Sequence, residues 1–96
     1  MYLTTHNQLT LLHDLLDEQV TLKDVSSYEY KQIKRLVQAI ILNKEMDNEL
    51  LTILPEIYYY GIQGEKTFAI DQHIEANKRK IKRWLTLINR SKQNIS

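Results

Sequence analysis

The stretch NKRKIKRW, Asn77 to Trp84, holds five cations in eight residues. Lys and Arg at that density can neutralise a polyanion, provided that they converge on its phosphates. Helical geometry argues against convergence. At 100° per residue around Ile81, Lys78 and Lys82 fall on one flank and Lys80 on the other, with Arg79 and Arg83 on the back. They take every side but the apolar one, as a solvated surface around a buried Ile81 does. Trp84 lies on the apolar line, so it reads as core rather than as a base-stacking platform. The run is also a local feature. Residues 1–64 carry 5 Lys and Arg against 9 Asp and Glu, and residues 65–96 carry 8 against 3. The net charge of +1 compels no polyanion partner.

Tyr58, Tyr59 and Tyr60 form the second concentration of chemistry. Consecutive helical residues point 100° apart, so the three cannot share one buried face. At least one must be exposed. Tyrosine adds contact area with a polar tip and is favoured at interfaces. With the following GIQGEKT read as a flexible loop, Tyr58–Tyr60 become the preferred contact for a protein partner.

Metal and catalytic chemistry find little support. His6, Thr10, His13 and Asp17 share one helix face, and His13 and Asp17 stand one turn apart. A closed site needs more ligands than that, and the His-Glu-x-x-His spacing is missing. They read as surface residues, and no metal or cofactor is expected. His73 flanks an apolar stripe and reads as partly buried packing. No cysteine is present, which removes disulfides, thiolate metal sites and a thiol nucleophile. Two glycines build neither a P-loop nor a dinucleotide-binding turn. An enzyme is not expected.

The elements that carry these residues are helices. With only two glycines and one proline in 96 residues, the chain has little turn chemistry. Thr5 to Gln8 spells a capping box before the Leu9, Leu12, Leu16 stripe, giving a first helix over 6–18, with Gln19 to Val25 as linker. Ser26 to Glu29 is a second capping box, with Val25 and Tyr30 as its staple. It opens a helix over about 27–43 with Tyr30, Ile33, Val37, Ile40 and Ile41 on one face, ending at Asn43. Asp47 caps a third, with Met46 and Leu51 as staple. Pro55 lies inside it and predicts a kink, or a break with a new turn. Gly61 ends it and Gly64 falls in the following loop.

After Thr67, Ile70, Ile74, Asn77, Ile81, Trp84 and Ile88 recur in steps of 4, 3, 4, 3 and 4. They give a helix over 68–90, about 34 Å long. Asn77 is polar on that line. It either fixes register or oligomeric state, or sits where the stripe widens. Residues 91–96 are expected to fray.

The fold class is therefore all-α: one domain over 1–96, a small antiparallel bundle of about four helices, the third kinked near Pro55 and the C-terminal one long. No apolar run is long enough to span a membrane, and the N-terminus has no signal-peptide pattern. The expected location is the cytoplasm.

Three stretches, HNQLTLLHDLL, EYKQIKRLVQAIILN and EIYYYG with the later DQHI and Trp84, resemble the YtzH-like family of small bacillus proteins. The resemblance implies a helical cytoplasmic protein of unknown activity and brings no catalytic or binding residues. Pro55 and the dense NKRKIKRW run depart from the family's pattern. The expected function is a non-enzymatic protein–protein interaction or regulatory module, with an unknown partner or with a second copy. The alternative is a nucleic-acid-associated protein using Lys78, Arg79, Lys80, Lys82 and Arg83.

Overall fold

A computed structural model describes residues 4–21, 26–42 and 48–94. They form four helices and no strand: α1 (Thr5–Thr21), α2 (Ser27–Ile41), α3 (Asn48–Lys66) and α4 (Ile70–Asn94). The expected roles of Val25, Asn43, Met46 and Asp47 lie outside the described residues. The all-α expectation holds. At 1.5 Å per residue α4 is about 37 Å long, close to the longest dimension of the molecule, 39 Å.

Each helix packs against two others, in the cyclic order α1, α2, α3, α4 and back to α1. Contacts run in opposite sequence directions between neighbours. Lys34 meets Glu65 while Gln38 meets Tyr58. Glu49 meets Arg90 while Glu56 meets Arg83. The bundle is antiparallel, as short connections require. Leu9, Leu12 and Leu16 of α1, Tyr30, Ile33, Val37 and Ile40 of α2, and Ile81, Trp84 and Ile88 of α4 all enter one core. These are the stripes the 3.6-residue period marks, except that Ile41, expected on the buried face of α2, is 45% exposed.

Helix starts follow local hydrogen bonding. The first cap is Thr4 rather than Thr5. Thr4 Oγ1 accepts from the Asn7 amide at 3.1 Å, and its carbonyl accepts from Gln8 N at 2.9 Å. At α2, the Glu29 carboxylate accepts from Ser26 N at 3.3 Å, the return arm of the expected capping box. Thr67 Oγ1 accepts from Ala69 N at 3.1 Å and holds the turn into α4.

Three expectations about the chain's course are corrected. Gln19 is not linker: α1 runs on to Thr21, and Gln19 is buried as the next step of the leucine stripe. Gly61 does not end α3, and Gly64 is not in a loop. Both are buried inside a helix that continues to Lys66. At the C-terminal end α4 reaches Asn94, and Ser91 is buried. Of the two outcomes at Pro55, a break does not occur. Pro55 and Leu51 are both exposed, so the i to i−4 bond that proline cannot donate is missing on the solvent side of the helix.

The glycines are packing devices. A Cβ on Gly64 would overlap the Tyr30 ring at Cδ1, Cε1 and Cζ. A Cβ on Gly61 would stand 2.6 Å from Lys34 Cγ and 3.3 Å from the Tyr30 carbonyl. Bare backbone at these two positions lets α2 and α3 approach and seats Tyr30 between them.

Candidate functional site

Tyr58, Tyr59 and Tyr60 fan around the middle of α3 into three environments. Tyr60 is 1% exposed and belongs to the core. Tyr58 is half-buried, and its hydroxyl accepts from Gln38 Nε2 at 3.2 Å. Tyr59 is 59% exposed and is the one the helical fan turns outward. The expected contact patch of three reduces to Tyr59 with an edge of Tyr58. The expected flexible loop beside it is helix through Lys66.

The basic run divides in the way its helical positions predict. Ile81 and Trp84 are buried, Arg79, Lys80, Lys82 and Arg83 are exposed, and Lys78 is half-buried. Lys80 and Arg83 face α3, whereas Lys78, Arg79 and Lys82 line a separate shallow depression with Glu75 and Ala76. Arg83 reaches Glu56 at 3.8 Å, and Trp84 Nε1 donates to the same carboxylate at 3.1 Å. Glu75 and Arg79, four residues apart, form no ion pair.

Between α3 and α4 lies an open hollow of about 270 Å³. Tyr60 and Trp84 form its floor. Tyr59, Gln63, Asn77, Lys80 and Arg83 surround it, with Glu56 at one end. Tertiary structure thus brings the exposed tyrosine and half of the basic run to one place. Asn77, the polar residue on the α4 stripe, is half-buried. It lines the hollow, and its Nδ2 donates to the His73 carbonyl at 2.8 Å.

Behind the hollow, one polar or aromatic side chain from each helix meets in the interior. Tyr60 of α3 donates to Gln19 Oε1 of α1 at 2.7 Å. The Tyr30 hydroxyl of α2 lies 3.2 Å from His73 Nδ1 of α4. The two bonds cross the two diagonals of the bundle, where the backbones do not touch. Tyr60 and His73 stack at 4.6 Å and 14°, and the Tyr30 ring meets both edge-on. Gln19 Nε2 and His73 Nε2 are buried without a protein partner. Burial raises the pKa of both tyrosines and lowers that of His73.

This fixes a pH dependence. The His73 pKa lies below the 6.5 of the unfolded chain, so the unfolded state takes up its proton first. The stability this group supports is complete above about pH 6.5 and is lost as pH falls toward the folded-state value. Urea midpoints should therefore drop on acidification from about pH 7 to pH 5, with a shallower drop for His73→Gln. Parallel slopes for the two proteins would remove His73 as the cause.

His6 is exposed and His13 half-buried with its Nδ1 3.6 Å from Asp14. Among the described residues no group of three metal-ligating side chains comes together. No helix among them is long and apolar enough to cross a membrane.

Residues 3–88 match the model of the YtzH-like protein family. Over 85 residues the chain is 27% identical to "Uncharacterized protein YtzH" of Bacillus subtilis (strain 168), an alignment covering 88% of this chain and 92% of that one. No solved structure matches.

Proposed function

The chain belongs to the YtzH-like protein family, and from that premise we propose a non-enzymatic module that binds a protein partner through the α3–α4 face. One observation carries the proposal: Tyr59 stands exposed beside Lys80 and Arg83 over a hollow floored by Tyr60 and Trp84. Tyrosine and arginine around an aromatic floor are the residue types in which binding energy concentrates. Lys80 forms no ion pair among the described residues, while Arg83 shares Glu56 with Trp84. The fitting partner segment carries an acidic side chain for these cations beside an apolar one for the hollow. The lack of cysteine suits a reducing compartment, and the proposal places the module in the cytoplasm.

A photo-crosslinking residue at position 59 tests the face, with one at Glu18 of α1 as control. The expected result is a discrete adduct from position 59, lost on Lys80→Glu with Arg83→Glu, and none from position 18. Equal labelling from both positions would remove this face as the contact.

The cations give nucleic acid a weaker claim. They are split between two faces, each with its own glutamate, Glu56 or Glu75, and phosphate neutralisation needs them together. Titration with duplex DNA and with RNA at about 50 and 200 mM salt should show no saturable binding. Binding at the lower salt that weakens steeply at the higher, and disappears on charge reversal at Lys80, Lys82 and Arg83, would replace the protein-partner reading.

A further inference from the structure

On the side of the bundle away from that hollow, α1 and α2 turn another face to solvent. A groove of about 300 Å³ runs between them, lined by Leu11 and Leu15 of α1 and by Tyr28, Gln32, Arg35 and Leu36 of α2. Leu11 is 41% exposed and Tyr28 58%, so the strip is apolar and open. Charge is sorted across it. α1 holds Asp14, Asp17 and Glu18 and no Lys or Arg. Asp14 and Glu18 follow Leu11 by three and seven residues, which puts them on its edge of the helix. On α2, Lys31 and Arg35 follow Tyr28 by three and seven. Glu18, Lys31 and Arg35 form no ion pair among the described residues, whereas Lys34 is taken by Glu65. An acidic rail and a basic rail therefore flank one apolar strip, with charges on both left unmatched.

We infer that this face binds the same face of a second copy, in a dimer whose two-fold axis runs parallel to the helices. Symmetry and charge select that arrangement together. A two-fold along the helices lays α1 of each copy on α2 of the other, acid on base, and closes the assembly at two. A two-fold across the helices would lay α1 on α1, acid on acid.

Helix level agrees as well. The groove sets Leu11 and Leu15 level with Gln32 to Leu36. Glu18 is then within about one turn of Lys31, and Asp14 within about one turn of Arg35. A rotation about the helix direction keeps those levels. Leu11, Leu15, Tyr28 and Leu36 of the two copies then cover each other, which removes the exposed apolar strip from water. The α3–α4 faces are left outward on opposite sides, so the dimer presents the proposed partner site twice.

Sedimentation equilibrium of the full chain over about 1 to 500 µM tests the inference. The expected mass at the upper end is twice 11.5 kDa. Tyr28→Asp should give a monomer throughout, with an unchanged thermal melt at concentrations where the parent is also monomeric, because Tyr28 is outside the core. Glu18→Lys and Lys31→Glu should each weaken the dimer roughly five- to tenfold, since symmetry counts each change twice. The two together in one chain should restore it. A monomer at every concentration overturns the dimer. Tightening by Glu18→Lys alone, or a dimer indifferent to Tyr28→Asp, overturns this face or this axis. Tyr59→Ala should leave the mass unchanged, which keeps this test separate from that of the α3–α4 face.

Discussion

Gly64→Ala is expected to destabilise the protein by about 3 kcal/mol, although alanine is the better helix former. In an exposed helix the exchange would gain about 1 kcal/mol of propensity. Here the new methyl would occupy the space of the Tyr30 ring. That ring is buried, edge-on to Tyr60 and His73, and its hydroxyl is bonded to His73 Nδ1. Either α2 moves away from α3 or the ring leaves its place. Overpacking of this kind costs about 3 kcal/mol at its upper range, and the lost hydrogen bond adds about 1. The melting temperature should fall by roughly 15 °C.

Gly61→Ala is the internal control. Its new methyl meets chiefly Lys34 Cγ, on a side chain that can swing, so the expected loss is below about 1 kcal/mol. A double-mutant cycle with Tyr30→Leu separates the mechanisms, because Gly64→Ala should cost less once the ring is gone. Equal costs in both backgrounds would mean that the glycine acts through something other than Tyr30.

Trp84→Ala should be at least as damaging, at about 4 kcal/mol. Trp84 is 1% exposed, touches Tyr60 edge-on at 5.6 Å, and joins α4 to α3 through its bond to Glu56. A domain of this size is stable by about 5–14 kcal/mol, so the loss is a large part of the whole. Trp84→Phe keeps most of the apolar volume and removes the indole N–H. Its expected cost is about 1–2 kcal/mol, which isolates the Glu56 bond and the lost ring area. Urea unfolding with unchanged slope would report these as stability differences. If Trp84→Ala shifted the midpoint no more than Trp84→Phe, Trp84 would not be the packing anchor of α4.

Both predictions rest on residues whose importance was unequally visible in the sequence. Trp84 announces itself, because it falls on a line of apolar residues spaced by three and four, and that spacing alone buries it. Gly64 looks like punctuation. Glycine is compatible with a loop and with a close helix contact, and the choice depends on a ring 34 positions away in the chain. Gln19 behaves similarly. Its spacing continues the leucine stripe, yet a buried glutamine is affordable only because the Tyr60 hydroxyl reaches it. Phe68, fully exposed in the turn before α4, carries no periodic signal.

The candidate sites divide along the same line. Sequence periodicity requires that one of three consecutive tyrosines face solvent and that the five cations of NKRKIKRW spread around their helix. Periodicity is a property of one helix, so it can say which side of that helix a residue occupies. It cannot say which residue on another helix stands opposite. That Tyr59, Lys80 and Arg83 share one hollow, that Tyr60 withdraws to bond Gln19, and that acidic α1 lies beside basic α2 are facts about neighbours. The sequence by itself determined the four amphipathic helices, because local hydrogen bonding and the 3.6-residue repeat are written residue by residue. The cyclic order of the bundle, the seat for Tyr30 and the composition of each face were decided by packing, which depends on shape and distance between segments far apart in the chain.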